Sequence, residues 1–143
     1  MKHFIILTIV ISALLLACNV QKTEDANRYS KVCFDMLKYI RQNDVSNATS
    51  LMDSIFLVMA KRDSFDIARN FNAISEKLNS DYRGEIKYKV ATEENTFHEN
   101  LPSKFLIVKL ETTETFGYYY FYINKQSGKI LLLGLLDLKF KRG

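Results

Sequence analysis

Apolar residues fall along this 143-residue chain in three successive regimes: an unbroken run, a helical period and a strand-like alternation. Phe4 to Ala17 is apolar except for Thr8 and Ser12. Residues 19–25 are polar and without period. From Tyr29 the apolar positions Val32, Cys33, Met36, Leu37 and Ile40 recur at three- and four-residue steps, which predicts an amphipathic helix from about Ala26 to Gln42. Asn43-Asp44 breaks it and offers a cap to a second helix carrying Val45, Ala48, Met52, Ile55, Phe56 and Met59. Between Ile55 and Ala60 every side is apolar, so that piece reads as a deeply buried helix segment or a short strand. Asp63 or Ser64 can cap a third helix, with Asp66 in its first turn and Ile67, Phe71, Ile74 and Leu78 as its buried stripe. Gly84 closes the helical half and suits a left-handed turn.

Beyond Glu85 the period drops to two. Ile86, Tyr88 and Val90 alternate with charged residues, the mark of a strand with one wet face. Thr92 to Ser103 is polar, holds the single proline (Pro102) and reads as a long connection. Phe105–Thr115 reads as a second strand, Gly117 as a turn, and Tyr118–Ile123 as an aromatic third strand. Asn124 to Gly128 has hairpin-turn chemistry, and Lys129–Phe140 is a last strand, apolar on both faces through Leu136. About three helices followed by four strands with mainly short links predicts an α+β fold, helices on one side of a four-stranded antiparallel sheet. The division is a leader at 1–17, a tether at 18–25 and one domain at 26–143.

The opening run has the zones of an export signal: a basic residue (Lys2), an apolar stretch shorter than the roughly 20 residues a bilayer span needs, and a small residue before a cysteine. Leu15-Leu16-Ala17-Cys18 resembles the lipobox of bacterial lipoproteins. That resemblance implies cleavage before Cys18, acylation of its thiol and an anchor in the cell envelope, on the periplasmic side of either membrane or at the cell surface. Each acyl methylene adds about 0.8 kcal/mol of membrane affinity, so two or three chains hold firmly. Lys22, Glu24 and Asp25 resemble the acid-containing segment that directs surface display in some lipoproteins of the Bacteroidota.

The helix–turn–strand of 63–90 and the three strands of 105–138, ending Ser-Gly-Lys-Ile-Leu, resemble the cone-shaped nuclear transport factor 2-like fold, with a cystatin-like sheet as the nearest competitor. Relatives often place a tryptophan after that last turn, where Ile130 and Leu131 stand here. The resemblance implies an exposed concave sheet face, which Tyr118, Tyr120, Tyr122, Leu132, Leu136 and Asp137 would line, and a small domain without an assigned activity.

Charge and candidate chemistry narrow the function. The mature chain carries 19 basic and 16 acidic side chains, spread evenly over both halves. That pattern lacks the basic cluster of a nucleic-acid binder. Cys18 is assigned to lipid, which leaves Cys33 on an apolar helical face as a buried small hydrophobe. His98 is the single mature histidine, in the acidic stretch Glu93–Glu99, where it reads as a solvated hairpin tip and at most a loose cation site. There is no nucleophile–histidine–acid set, no glycine-rich phosphate loop and no cofactor motif. The one enzymatic reading borrows from the fold resemblance: Asp137, on a strand face with Leu131, Leu133 and Leu135, with the tyrosines as a proton-transfer pair. The leading expectation is a non-enzymatic, lipid-anchored domain that binds a protein or a small hydrophobic molecule. An immunity-type inhibitor of a toxin is an alternative, and the residues do not fix an oligomeric state.

Overall fold

The structure, a computed structural model, describes residues 28–140 and their side chains through Leu136. The expected leader, the lipobox with Cys18 and the tether therefore lie outside the described residues. Four helices precede four strands: α1 (28–41), α2 (Val45–Ser50), α3 (Ser54–Arg62) and α4 (Ile67–Asp81), then β1 (Lys87–His98), β2 (Leu101–Glu111), β3 (Thr115–Asn124) and β4 (Ile130–Phe140). The strands form one antiparallel meander in the order β1-β2-β3-β4. The chain is thus α+β, with the helices packed on one face of the sheet.

The core is the meeting of two apolar patterns. Tyr29, Cys33, Met36, Leu37 and Ile40 on α1, with Phe71 and Leu78 on α4, bury against Leu106, Val108, Leu110, Tyr119, Phe121, Ile123 and Ile130 of the sheet. Strict alternation along β3 follows from that single packed face: Tyr119, Phe121 and Ile123 are buried, while Tyr118, Tyr120 and Tyr122 are half-buried on the other side. Polar bonds fasten the layers at both ends. The Arg41 guanidinium donates to the carbonyls of Tyr82 (3.1 Å) and Gly84 (2.6 Å), tying the end of α1 to the turn that starts the sheet. Gly84 takes the left-handed conformation there, at φ 82°.

Five local expectations are corrected. The second helix is two helices, because the chain leaves helical geometry at Met52 to form a parallel bridge with Ile130, and Asp53 then caps α3. The apolar stretch Ile55–Ala60 is neither a strand nor deeply buried as a whole: it is the body of α3, with Ile55 40% and Val58 68% exposed. The cap of α4 is Asp66, whose carboxylate accepts from Arg69 N, whereas Asp63 closes α3. The long polar connection is a hairpin. β1 continues to His98, Glu99 and Asn100 turn it with φ of 47° and 65°, and β2 starts at Leu101. Two successive positive φ values are those of the turn that best matches the twist of paired strands. Polar residues are admissible in β1 because it is an edge strand with water on one side. Pro102 is admissible because it lies beyond the last β2–β3 pair, Ser103 with Asn124, and its carbonyl accepts from Lys125 N at 3.0 Å. Finally, Gly117 stands within β3, and the turn before it is made at Thr112–Thr115, whose hydroxyls are 3.0 Å apart.

Candidate functional site: an aromatic sheet face

The side of the sheet opposite the helices is aromatic. Register sets Phe105 beside Tyr122 and Ile107 beside Tyr120, so β2 and β3 present their side chains together. Phe105 lies 5.0 Å from Tyr122 and 6.4 Å from Tyr120 between ring centroids. Tyr120 and Tyr122 meet nearly edge to face at 6.2 Å. His98 is stacked on Tyr122 at 4.6 Å, and Phe116 meets Tyr118 edge to face at 6.1 Å. Lys109 Nζ lies 4.9 Å from the Phe116 ring centroid and 3.3 Å from Glu111, so the basic end of this face is neutralised on the spot. Edge-to-face and offset contacts of this kind are favourable beyond the area they bury, and they hold the rings in defined positions without a covering layer among the described residues.

β4 completes the face. Leu132 pairs with Tyr122 and Gly134 with Tyr120. Gly134 is there for space: a Cβ would lie 2.6 to 2.7 Å from the Tyr120 ring, which lies over the glycine. A bulge falls between the pairs Tyr119–Leu135 and Tyr118–Asp137, leaving Leu136 as the extra residue, 53% exposed. That bulge corrects the placing of Asp137 with Leu133 and Leu135. Its register partner is Tyr118, while Leu133 and Leu135 pair with Phe121 and Tyr119. The side chain of Asp137 lies outside the described residues. The structure therefore brings together Tyr118, Tyr120, Tyr122 and Leu132 from the expected set, and adds His98, Phe105, Phe116 and Gly134. Phe105 and His98 join the face through cross-strand register, which a pattern read strand by strand does not supply, whereas Phe116 is missed because Gly117 reads as a turn and not as part of β3.

His98 stands at the hairpin tip, directly before the turn Glu99-Asn100, but is half-buried against Tyr122 instead of solvated. Its acidic neighbours do not converge on it. Glu93 turns to Lys104 on the helix side at 3.2 Å, while Glu94 is exposed. Among the described residues no three His, Cys, Asp or Glu side chains come together as a metal set. Cys33 is fully buried, and burial pushes its thiol up.

Two depressions among the described residues bear on ligand capture, one at the end of β1 and β2 and one between the helices and β4. One, about 670 Å³, is lined by Arg83, Gly84, Glu85, Lys87, Glu111, Thr112 and Thr113 at the open end of β1 and β2, with both charge signs present. The other is apolar and about 120 Å³, between Met52, Phe56, Phe65, Phe71, Ile74 and Leu133. No helix of the described residues is long and apolar enough to cross a membrane. Comparison with protein-family models, with curated proteins and with solved structures finds no match for this chain.

Proposed function

We propose that this chain is a lipid-anchored protein of the bacterial cell envelope whose domain binds another protein through the aromatic sheet face, without catalysing a reaction. The observation that carries the binding role is the set His98, Phe105, Tyr120 and Tyr122, held ring against ring and continued along β3 by the pair Phe116 and Tyr118, on the side of the sheet away from the helices. Tyrosines offer large, stiff, amphipathic contact area at small entropic cost, which is why they are enriched at interfaces. Protein docking is favoured over carriage of a small hydrophobic molecule by size. The apolar pocket of about 120 Å³ is well below the roughly 300–1,000 Å³ of ligand sites. The anchor rests on Lys2, the apolar run and Leu15-Leu16-Ala17-Cys18.

Both halves are tested in cells producing the full chain. Labelling with a radioactive or alkyne-bearing fatty acid should mark the protein, and Cys18→Ala should abolish both label and membrane fractionation. A photo-crosslinking residue at Tyr118 or Tyr122 should give a discrete protein adduct that the same probe at Glu76, on the exposed side of α4, does not. Label retained by Cys18→Ala would remove the anchor, and equal adducts at all three positions would remove the face.

A further inference from the structure

The two edges of the sheet differ in a way that the aromatic face does not explain. β1 carries Lys87, Lys89, Glu93 and Glu94, charges of the kind that discourage another strand from adding to an edge. The first seven residues of β4, Ile130 to Leu136, read Ile-Leu-Leu-Leu-Gly-Leu-Leu without charge or proline, and its two charges, Asp137 and Lys139, fall in the last four. Its outer edge is occupied only at the first residue: Ile130 N donates to the Leu51 carbonyl at 2.9 Å, and its carbonyl accepts from Asp53 N at 2.8 Å. Beyond that point no strand of the described residues lies alongside it.

The exposed large apolar side chains are concentrated on the same elements. Ile55 and Val58 are on α3, the helix that touches β4, Phe65 follows it, and Leu135 and Leu136 are on β4 itself, all between 39% and 68% exposed. Only Phe97, at the far hairpin, lies elsewhere among them. A helix apolar on all sides is ordinarily covered. These five side chains leave on the order of 400 Å² of apolar surface in water, the scale at which a patch marks an interaction surface. That is about half of the roughly 800 Å² each partner contributes to a standard interface, and the edge of β4 with its flanking side chains is placed to supply the remainder.

We infer that the occupant is a second copy of this chain, added antiparallel along β4. A strand edge is self-complementary under a two-fold axis, because the same donors and acceptors face each other from both sides. Like-charge repulsion, which ordinarily opposes such self-pairing, is absent from Ile130–Leu136. The bridge at Ile130 leaves the space beyond Leu131 to the partner strand. The product is an eight-stranded sheet in which the two aromatic faces lie on the same side and form one surface. Self-association goes beyond the binding role proposed above and does not depend on it.

The test uses the full-length chain extracted from membranes in detergent, with sedimentation giving the protein mass. A dimer is expected, and Leu136→Lys, at an exposed position that folding does not need, should weaken association by about tenfold or more. In parallel, Leu136→Cys should cross-link to itself with a short bismaleimide while Lys89→Cys, on the opposite edge, should not. Cys33 is buried and does not compete, and the unsubstituted chain treated alike reports any adduct formed through Cys18. A monomer at the highest attainable concentration, a dimer indifferent to Leu136→Lys, cross-linking through Lys89→Cys, or adducts of Leu136→Cys with other proteins alone would each overturn the proposal.

Discussion

Asp53 is 2% exposed, and a carboxylate so far from water is tolerable only when its oxygens are satisfied. One oxygen accepts from Ile55 N at 2.9 Å and caps α3. The other accepts from Asn124 Nδ2 at 3.2 Å and Ser127 Oγ at 2.5 Å, in the β3–β4 turn. A single side chain therefore starts a helix and fastens it to a hairpin more than seventy residues on in the chain. Asp53→Ala removes a cap, worth about 1 kcal/mol, and leaves one buried donor, Asn124 Nδ2, without its acceptor at about 1–3 kcal/mol, while the hydroxyl of the exposed Ser127 turns to water. The expected loss is about 2–4 kcal/mol, seen as a lower urea midpoint at unchanged slope. Asp53→Asn keeps the shape and one acceptor oxygen and should lose about half as much. Equal midpoints for wild type and Asp53→Ala would mean that water replaces the carboxylate. In the sequence this aspartate is indistinguishable from Asp44 or Asp66, which also cap helices but bond only to neighbours in the chain.

At the scale of elements, β4 and β3 are locked by a glycine and a ring. Tyr120 lies over Gly134, its direct cross-strand partner, in the way aromatic residues shield strand glycines. Gly134→Ala places a methyl group where the ring is, so Tyr120 must swing out. The expected cost is about 1–2 kcal/mol. In the Tyr120→Ala background the ring is gone and alanine should cost nothing or stabilise, since glycine weakens a strand interior. A double-mutant cycle by chemical denaturation checks this, and additive effects would show that the contact is not what the glycine serves.

What the chain pattern revealed, and what it hid, divides along the same line. The α1 stripe, the α4 stripe and the alternation of β3 were legible because each buries one face against a single partner layer. The continuation of β1 to His98 was hidden because β1 is an edge strand whose polar residues look like loop. The split of α2 from α3 was hidden because its cause, the Met52–Ile130 bridge, joins residues far apart in the chain. Of the aromatic face, the tyrosines of β3 were readable from position, whereas Phe105 and His98 needed the register.

The molecule as a whole turns its two sets of tyrosines to opposite environments, and this has a consequence for alkaline stability. Tyr119, 1% exposed beneath α1 and α4, has its phenol pushed up to about 12, first by burial and then by the negative charge of Asp81. Tyr82, equally enclosed, is raised too, by burial first and then by the charges of Tyr119 and Asp81. In the unfolded chain both phenols ionise near 10. Between about pH 10 and 12 the unfolded state thus sheds protons that the folded state keeps, so its free energy falls relative to that of the fold. The stabilisation is whole below pH 10 and is lost as pH rises through the folded value. For Tyr119 alone a gap of about two pH units corresponds to on the order of 3 kcal/mol. Cys33, also raised by burial, adds to the loss from about pH 9, where an unfolded thiol ionises. Urea unfolding followed across this range should show stability falling steeply in wild type and less steeply in Tyr119→Phe, whose ring fills the same space without a proton to lose. Phenolate absorbance at 295 nm should lag until the cooperative transition for the buried pair, because ionising them requires opening the core that α1 and the sheet close together. Parallel pH slopes for the two proteins would mean that the Tyr119 phenol reaches water without unfolding, and the layer that buries it would have to open locally.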